Sequence, residues 1–238
     1  MVKFPLPDPS ITELSSVADS WAHSASIHEW TIGADEAAIS AVESTLGRRL
    51  PSALRAIYKM SDGIGLLQGN LVIEPLRPPK EDSFGLIDYS DKLREWKWPI
   101  PEELIAFGGN GSDELFGVWL PTERGPGHPH PIIEVGEIFE DKSFAVVGTD
   151  LCKFLTIWTA FYTMLCLPEI STRKTKKALD ALGVPANLRI MNPDEVDEEL
   201  YGALSKWADP TLPDYNPDPY DRGLTAEQLR ASYGQNFR

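Results

Sequence analysis

Apolar residues Ile39, Val42 and Leu46 recur at helical spacing, and the pattern predicts a helix from Asp35 to Leu46. Gly47 follows where a helix C′ residue belongs. Pro51 fits the first position of a second helix ending near Ser61, where its missing N–H is harmless. Leu54, Ile57 and Tyr58 give that helix one apolar face, and Arg55 and Lys59 fall on the other. Ser61-Asp62-Gly63 is a stop signal, since Gly tolerates positive φ and Asp bonds its own backbone in turns. A strand at Leu71–Ile73 is ended by Pro75. Upstream, Ile11 to His28 is weakly periodic and reads as one helix, with Trp21 and Trp30 packing it onto the domain. Downstream, Asp88 to Trp98 reads as a short helix stopped by Pro99 and Pro101.

The period then changes from helical to alternating. Ile105–Phe107 and Leu115–Leu120 flank a turn from Gly108 to Asp113, and Phe116, Val118 and Leu120 alternate with Gly117 and Trp119 as a strand requires. If Phe116 and Val118 face the core, Leu115 and Trp119 lie on the other face, covered by the chain's own tail or by a partner. Two more strands are expected at Ile132–Val135 and Phe144–Val147. Thr149 or Asp150 caps a closing helix with a broad apolar face (Leu151, Phe154, Leu155, Trp158, Tyr162, Leu165). Beyond Pro168 helices are expected at Thr172–Leu182, which is basic at its start, and at Pro193–Trp207. Alternating Asp and Pro exclude regular structure over 209–221, and a last helical stretch follows at Thr225–Tyr233.

Two stretches carry a family resemblance. One is Leu46 to Gly65, LGRRLPSALRAIYKMSDGIG, running on to the strand at Leu71–Leu76. The other is Ile105 to Leu120, IAFGGNGSDELFGVWL, with the later strand and closing helix in matching order. The chain resembles the SUKH superfamily in its Smi/Knr-type branch, over about residues 30 to 167. The structural motif residues are Gly47, Leu50, Pro51, Asp62, Gly63 and Gly111. The resemblance implies an α+β fold, a mostly antiparallel sheet flanked by helices, that binds proteins rather than catalysing a reaction. Many bacterial members neutralise toxins, and fungal relatives help regulate cell-wall assembly.

Charge narrows the partner. The 238 residues carry a formal net charge of −14, the wrong sign for a binder of nucleic-acid phosphates. The distribution is uneven: residues 46–80 hold six Lys/Arg against two acids, and residues 101–170 hold eleven acids against three bases. The two cysteines, Cys152 and Cys166, sit in one apolar segment and read as buried thiols, which points to a cytoplasmic setting. The proline-rich start does not resemble a signal peptide. The most apolar run, Leu151 to Leu167, is shorter than the ~20 residues a spanning helix needs and contains Lys153.

Chemistry-bearing candidates are few. His128 and His130 flank a proline and could face one ion together with Glu134. An exposed loop is preferred, because no Cys or third His completes the set, and no metal or other cofactor is expected. Gly108-Gly109-Asn110-Gly111 is followed by a strand and by acids, so it reads as a hairpin turn and not as a phosphate cradle. With four histidines in all, no nucleophile–base order stands out, and catalysis ranks third among the functions considered.

These readings give residues 1–29 as an N-terminal segment, 30–167 as a single Smi/Knr-type SUKH-like domain, and 168–238 as an acidic, proline-containing C-terminal helical extension. The expected function is protein binding, foremost as an immunity protein that neutralises a toxin by stoichiometric occlusion. The alternative is a regulatory scaffold of the cell-wall assembly regulator type. Asp113, Glu114, Glu134, Glu137, Glu140 and Asp141 are expected to meet a basic toxin domain, with Trp119 as an aromatic anchor. Neither nucleic acid nor a membrane is an expected partner.

Overall fold

A computed structural model describes residues 9–23, 29–78, 84–96, 98, 100–112, 114–121, 130–135, 143–165, 173–190, 197–216 and 223–234. Seven strands form one sheet in the order β1 to β7: Glu29–Trp30, Ile64–Leu66, Leu71–Ile73, Leu104–Gly109, Leu115–Trp119, Ile132–Val135 and Phe144–Gly148. Every neighbouring pair is antiparallel, so each strand lies beside its neighbours in sequence. The helices are α1 (Pro9–His23), α2 (Glu36–Leu46), α3 (Ser52–Met60), α4 (Leu86–Glu95), α5 (Leu151–Leu165), α6 (Arg173–Leu182), α7 (Asp197–Ala208) and the short α8 (Ala226–Leu229). The expected α+β class is the observed one.

Alternation along the strands gives the sheet two buried faces. Ile105, Phe107, Phe116, Val118 and Ile132 join the larger core beneath α1, α2, α3 and α5. Phe116 lies 4.9 Å from Phe154 and 4.7 Å from Trp158, ring centre to ring centre, which docks α5 on mid-sheet. Trp21 of α1 donates its indole N–H to Thr159 Oγ1 at 3.0 Å, so the first helix is tied to α5 as well. The opposite face (Leu104, Ala106, Leu115, Trp119, Ile133, Val135, Phe144) is roofed by Leu93 of α4, Ile100 and Leu229 of α8.

Local signals explain the helix ends. Gly47 adopts φ 65°, and its N–H meets Glu43 O and Ser44 O, closing α2 as the sequence predicts. Pro51 is one residue earlier than expected: it is the cap residue (φ −53°, ψ 145°), and α3 begins at Ser52. The Asp150 carboxylate accepts from Lys153 N–H at 2.9 Å and caps α5.

The C-terminal helices add to the same core. α6 packs on α1, α7 packs on α5, and Leu179, Leu182, Val184, Leu200, Tyr201 and Leu204 are buried there. One carboxylate welds the junction: Asp209, fully buried, accepts from Thr149 N–H at 2.7 Å and from Thr211 Oγ1 at 2.9 Å, with Lys153 Nζ at 3.3 Å. No helix among the described residues is long and apolar enough to cross a membrane.

Candidate functional site

The turn after α3 is built around a buried hydroxyl. Ser61 Oγ accepts from Thr31 N–H at 2.9 Å and donates to Gly63 O at 2.7 Å. Asp62 was expected to bond its own backbone; its Oδ1 instead accepts from Leu76 N–H at 2.7 Å, fastening this turn to the chain beyond β3. Gly63 sits at φ 96°, where an L side chain would be strained.

The next turn, between β2 and β3, is strained in its non-glycine residues. Leu67 and Gln68 both have positive φ, 53° and 62°, in the left-handed region. Such residues persist where their surroundings over-determine them, and here the causes are visible. Leu67 is buried, its carbonyl accepts from Asn70 Nδ2 at 2.7 Å, and Asn70 O accepts the Trp158 indole N–H at 2.7 Å. The core thus fixes the turn, and Gln68 is presented at its exposed tip.

The turn between β4 and β5 closes against it. Asn110 Oδ1 accepts from the N–H groups of Ser112 and Glu114 at 2.9 and 3.1 Å, and Asn110 Nδ2 donates to Glu114 Oε2 at 3.0 Å. Gly111 has φ 76°, and a Cβ there would lie 2.7 Å from Gly69 O, so the two turns touch. Beside them opens a cavity of about 350 Å³ lined by Thr31, Asp62, Gly65, Gln68, Gly69 and Val72, among others. Ile32, next to Thr31, is 93% exposed.

Electrostatics around this face is set by burial and by one ion network. Burial raises the Glu74 carboxyl, and burial with the nearby charges of Asp62 and Glu74 raises the Tyr58 phenol well above its usual range. On the helices, Arg55 pairs with Glu43 at 2.5 Å and with Glu36, and Lys59 pairs with Glu36 at 2.7 Å. The hydrogen bond from Lys59 holds the Glu36 carboxyl below its usual range. The basic side expected from the sequence is therefore partly neutralised within the fold. Arg173, Lys174, Lys176 and Lys177 of α6 are exposed and have no ion pair among the described residues.

The expected binding residues are scattered by the fold. Trp119 is fully buried and Glu134 is 4% exposed, so neither is a surface contact. Alternation places Trp119 on the second face of the sheet, and that face is roofed by α4 and by the C-terminal residues. Glu114 is half-buried and closes the Asn110 turn. Asp113, Glu137, Glu140 and Asp141 lie outside the described residues, as does His128. His130 is buried, with Nδ1 3.1 Å from Trp119 O. Among the described residues no group of three His, Cys, Asp or Glu could hold a metal ion. Sequence reasoning missed Thr31, Ile32 and Gln68. The Gly69-Asn70 pair was the available turn signal for Gln68, and its left-handed backbone had none.

The face presents one carboxylate, one carboxamide and an exposed Ile, with no nucleophile–base pair among its described residues. Its frame from α2 to the start of α5 coincides with a match to the family model described as SMI1 / KNR4 family (SUKH-1), over residues 33–156. The chain belongs to the SMI1 / KNR4 family. As a SUKH-1 member it carries the two touching turns, and nearly the whole sheet, within the matched residues; α6, α7 and α8 lie beyond them. No curated protein matches the chain.

Proposed function

We propose that this SUKH-1 chain is a protein-binding module acting as an immunity protein, which neutralises a bacterial toxin by stoichiometric binding and not by catalysis. The family match over residues 33–156 carries the reading. The net charge of −14 supports a basic partner, because complementary charge steers encounter and raises association rates. The contact surface we assign is the open face at Thr31, Ile32, Asp62 and Gln68, together with acids Asp113, Glu137, Glu140 and Asp141. Glu114 is excluded because its carboxylate holds the turn.

The test is binding kinetics of the full chain with the toxin domain encoded beside its gene, at two salt concentrations. Association should slow as salt rises, and reversing Asp113, Glu140 and Asp141 to Lys should slow it further while the melting temperature holds. Salt-independent association, indifferent to the reversals, would favour a regulatory scaffold of the cell-wall assembly regulator type. The folding of α6 and α7 onto the matched domain supports that second reading, since it enlarges the surface available for docking.

A further inference from the structure

Away from that face, α6 carries cations that the fold leaves bare. Arg173, Lys174, Lys176 and Lys177 are all exposed, while Ala178, Leu179 and Leu182 anchor the inner side of the helix in the core. Residues three and four apart on a helix are neighbours, so Arg173 adjoins Lys176 and Lys177, and Lys174 adjoins Lys177. The four side chains thus make one basic patch on a helix that is locked in place.

Among the described residues nothing offsets this patch. Elsewhere Arg55, Lys59, Lys153 and Arg230 each pair with an acid, whereas these four have no such partner among the described residues. Asp180, the one acid of α6, stands four residues past Lys176 and three past Lys177, within reach of either. It pairs instead with Arg189 at 2.6 Å, and Arg189 is held there by the Val184 carbonyl at 2.8 Å. Like charges on adjacent turns, set at the positive end of the helix dipole, disfavour α6. Local rules of this kind are broken mainly where function requires it.

We propose that the outer face of α6 docks a short acidic segment of a protein partner. The complementarity is local, because salt screens charges over about 8 Å under physiological conditions. A segment of about five extended residues, roughly 17 Å long, meets the four cations and little of the remaining surface. A long nucleic acid or an anionic bilayer extends past the patch and meets a chain of net charge −14. Solvated ion pairs are individually weak, so the segment binds reversibly. The site lies outside residues 33–156 and takes the opposite charge from a basic toxin, so it stands or falls independently of the toxin-binding reading.

The probe is a blocked peptide of alternating Asp, Glu and Ser, titrated into the full ¹⁵N-labelled chain beside its Asn/Gln counterpart, a short oligothymidylate and phosphatidylserine vesicles. Saturable amide shifts are expected over residues 173–180 with the acidic peptide and none with the Asn/Gln counterpart. Added salt should weaken the binding. Lys174→Gln combined with Lys177→Gln should weaken it about threefold or more, as loss of two solvated ion pairs predicts. The melting temperature of that variant should hold or rise, because neither lysine has an acid to lose among the described residues. Absence of saturable shifts, shifts confined to the Thr31–Asp62 face, or undiminished binding by the double variant would each overturn the proposal. Binding of the oligothymidylate or the vesicles as tight as that of the peptide would overturn it too.

Discussion

Glu74 carries a carboxyl that the fold protonates more readily than an exposed one. It sits half-buried just past β3, and burial raises its carboxyl. The folded chain therefore holds this proton more tightly than the unfolded chain. Stability from the group is fully present below the unfolded value and is lost as pH rises through the higher folded one. Glu74→Gln should accordingly gain on wild type in melting temperature as pH rises from the ordinary carboxylate range to neutrality. A constant difference across that range would mean the carboxyl titrates normally. Core residues behave more simply. Leu54 is fully buried and Trp158 is 4% exposed, so alanine at either should cost about 2–5 kcal/mol in denaturant unfolding. Trp158→Phe isolates the hydrogen bond to Asn70 O and should cost about 1 kcal/mol plus the lost packing. Both core positions were legible as periodic apolar residues. The Asp62–Leu76 bond was not, because a partner 14 residues away leaves no trace in local pattern.

At the level of elements, α6 is charged against its own dipole. Arg173, Lys174, Lys176 and Lys177 occupy its first two turns, where the partial positive end of the helix disfavours cations. Lys174→Glu should stabilise the fold by about 0.3–1 kcal/mol, more at low salt than at high salt. Thermal melts at two ionic strengths check it, and no gain at low salt would show that the cations are offset elsewhere. The junction at Asp209 runs the other way: Asp209→Ala leaves Thr149 N–H without its acceptor and takes one of its partners from Lys153, which keeps Thr149 Oγ1 at 2.9 Å, and should cost about 1.5–3 kcal/mol. Strand and helix identities were readable because period 2 and period 3.6 differ plainly in this chain. β4, β5, β6 and β7 and helices α2, α3, α5 and α6 fall within a residue or two of expectation. The exceptions are informative: β1 is two residues long, too short to show alternation, and Pro51 caps a helix it was expected to start.

For the whole molecule, the central question is what lies over Trp119. Its face is roofed from the C-terminal end by Leu224 and Leu229, and Arg230 clamps Glu103 with contacts of 2.7 and 3.1 Å. That hydrogen bond holds the Glu103 carboxyl below its usual range. A chain ending at Leu167 should therefore lose its cooperative melt or aggregate, since it uncovers Trp119 together with the faces of α1 and α5 that α6 and α7 cover. A sharp transition close to that of the full chain would show instead that the sheet and α1–α5 suffice. No periodicity could have announced this roof, which pairs residues more than a hundred positions apart. The order of the strands gives it a consequence during synthesis. Because each strand pairs with the one before it, the sheet can assemble in the order the ribosome delivers it. Leu229 follows Trp119 by about 110 residues, so at roughly 5–20 residues per second the Trp119 face waits on the order of 5–20 s for its cover. The nascent chain thus passes through an interval with a finished sheet whose second apolar side is covered only by Leu93 and Ile100, and a chaperone would find its substrate there.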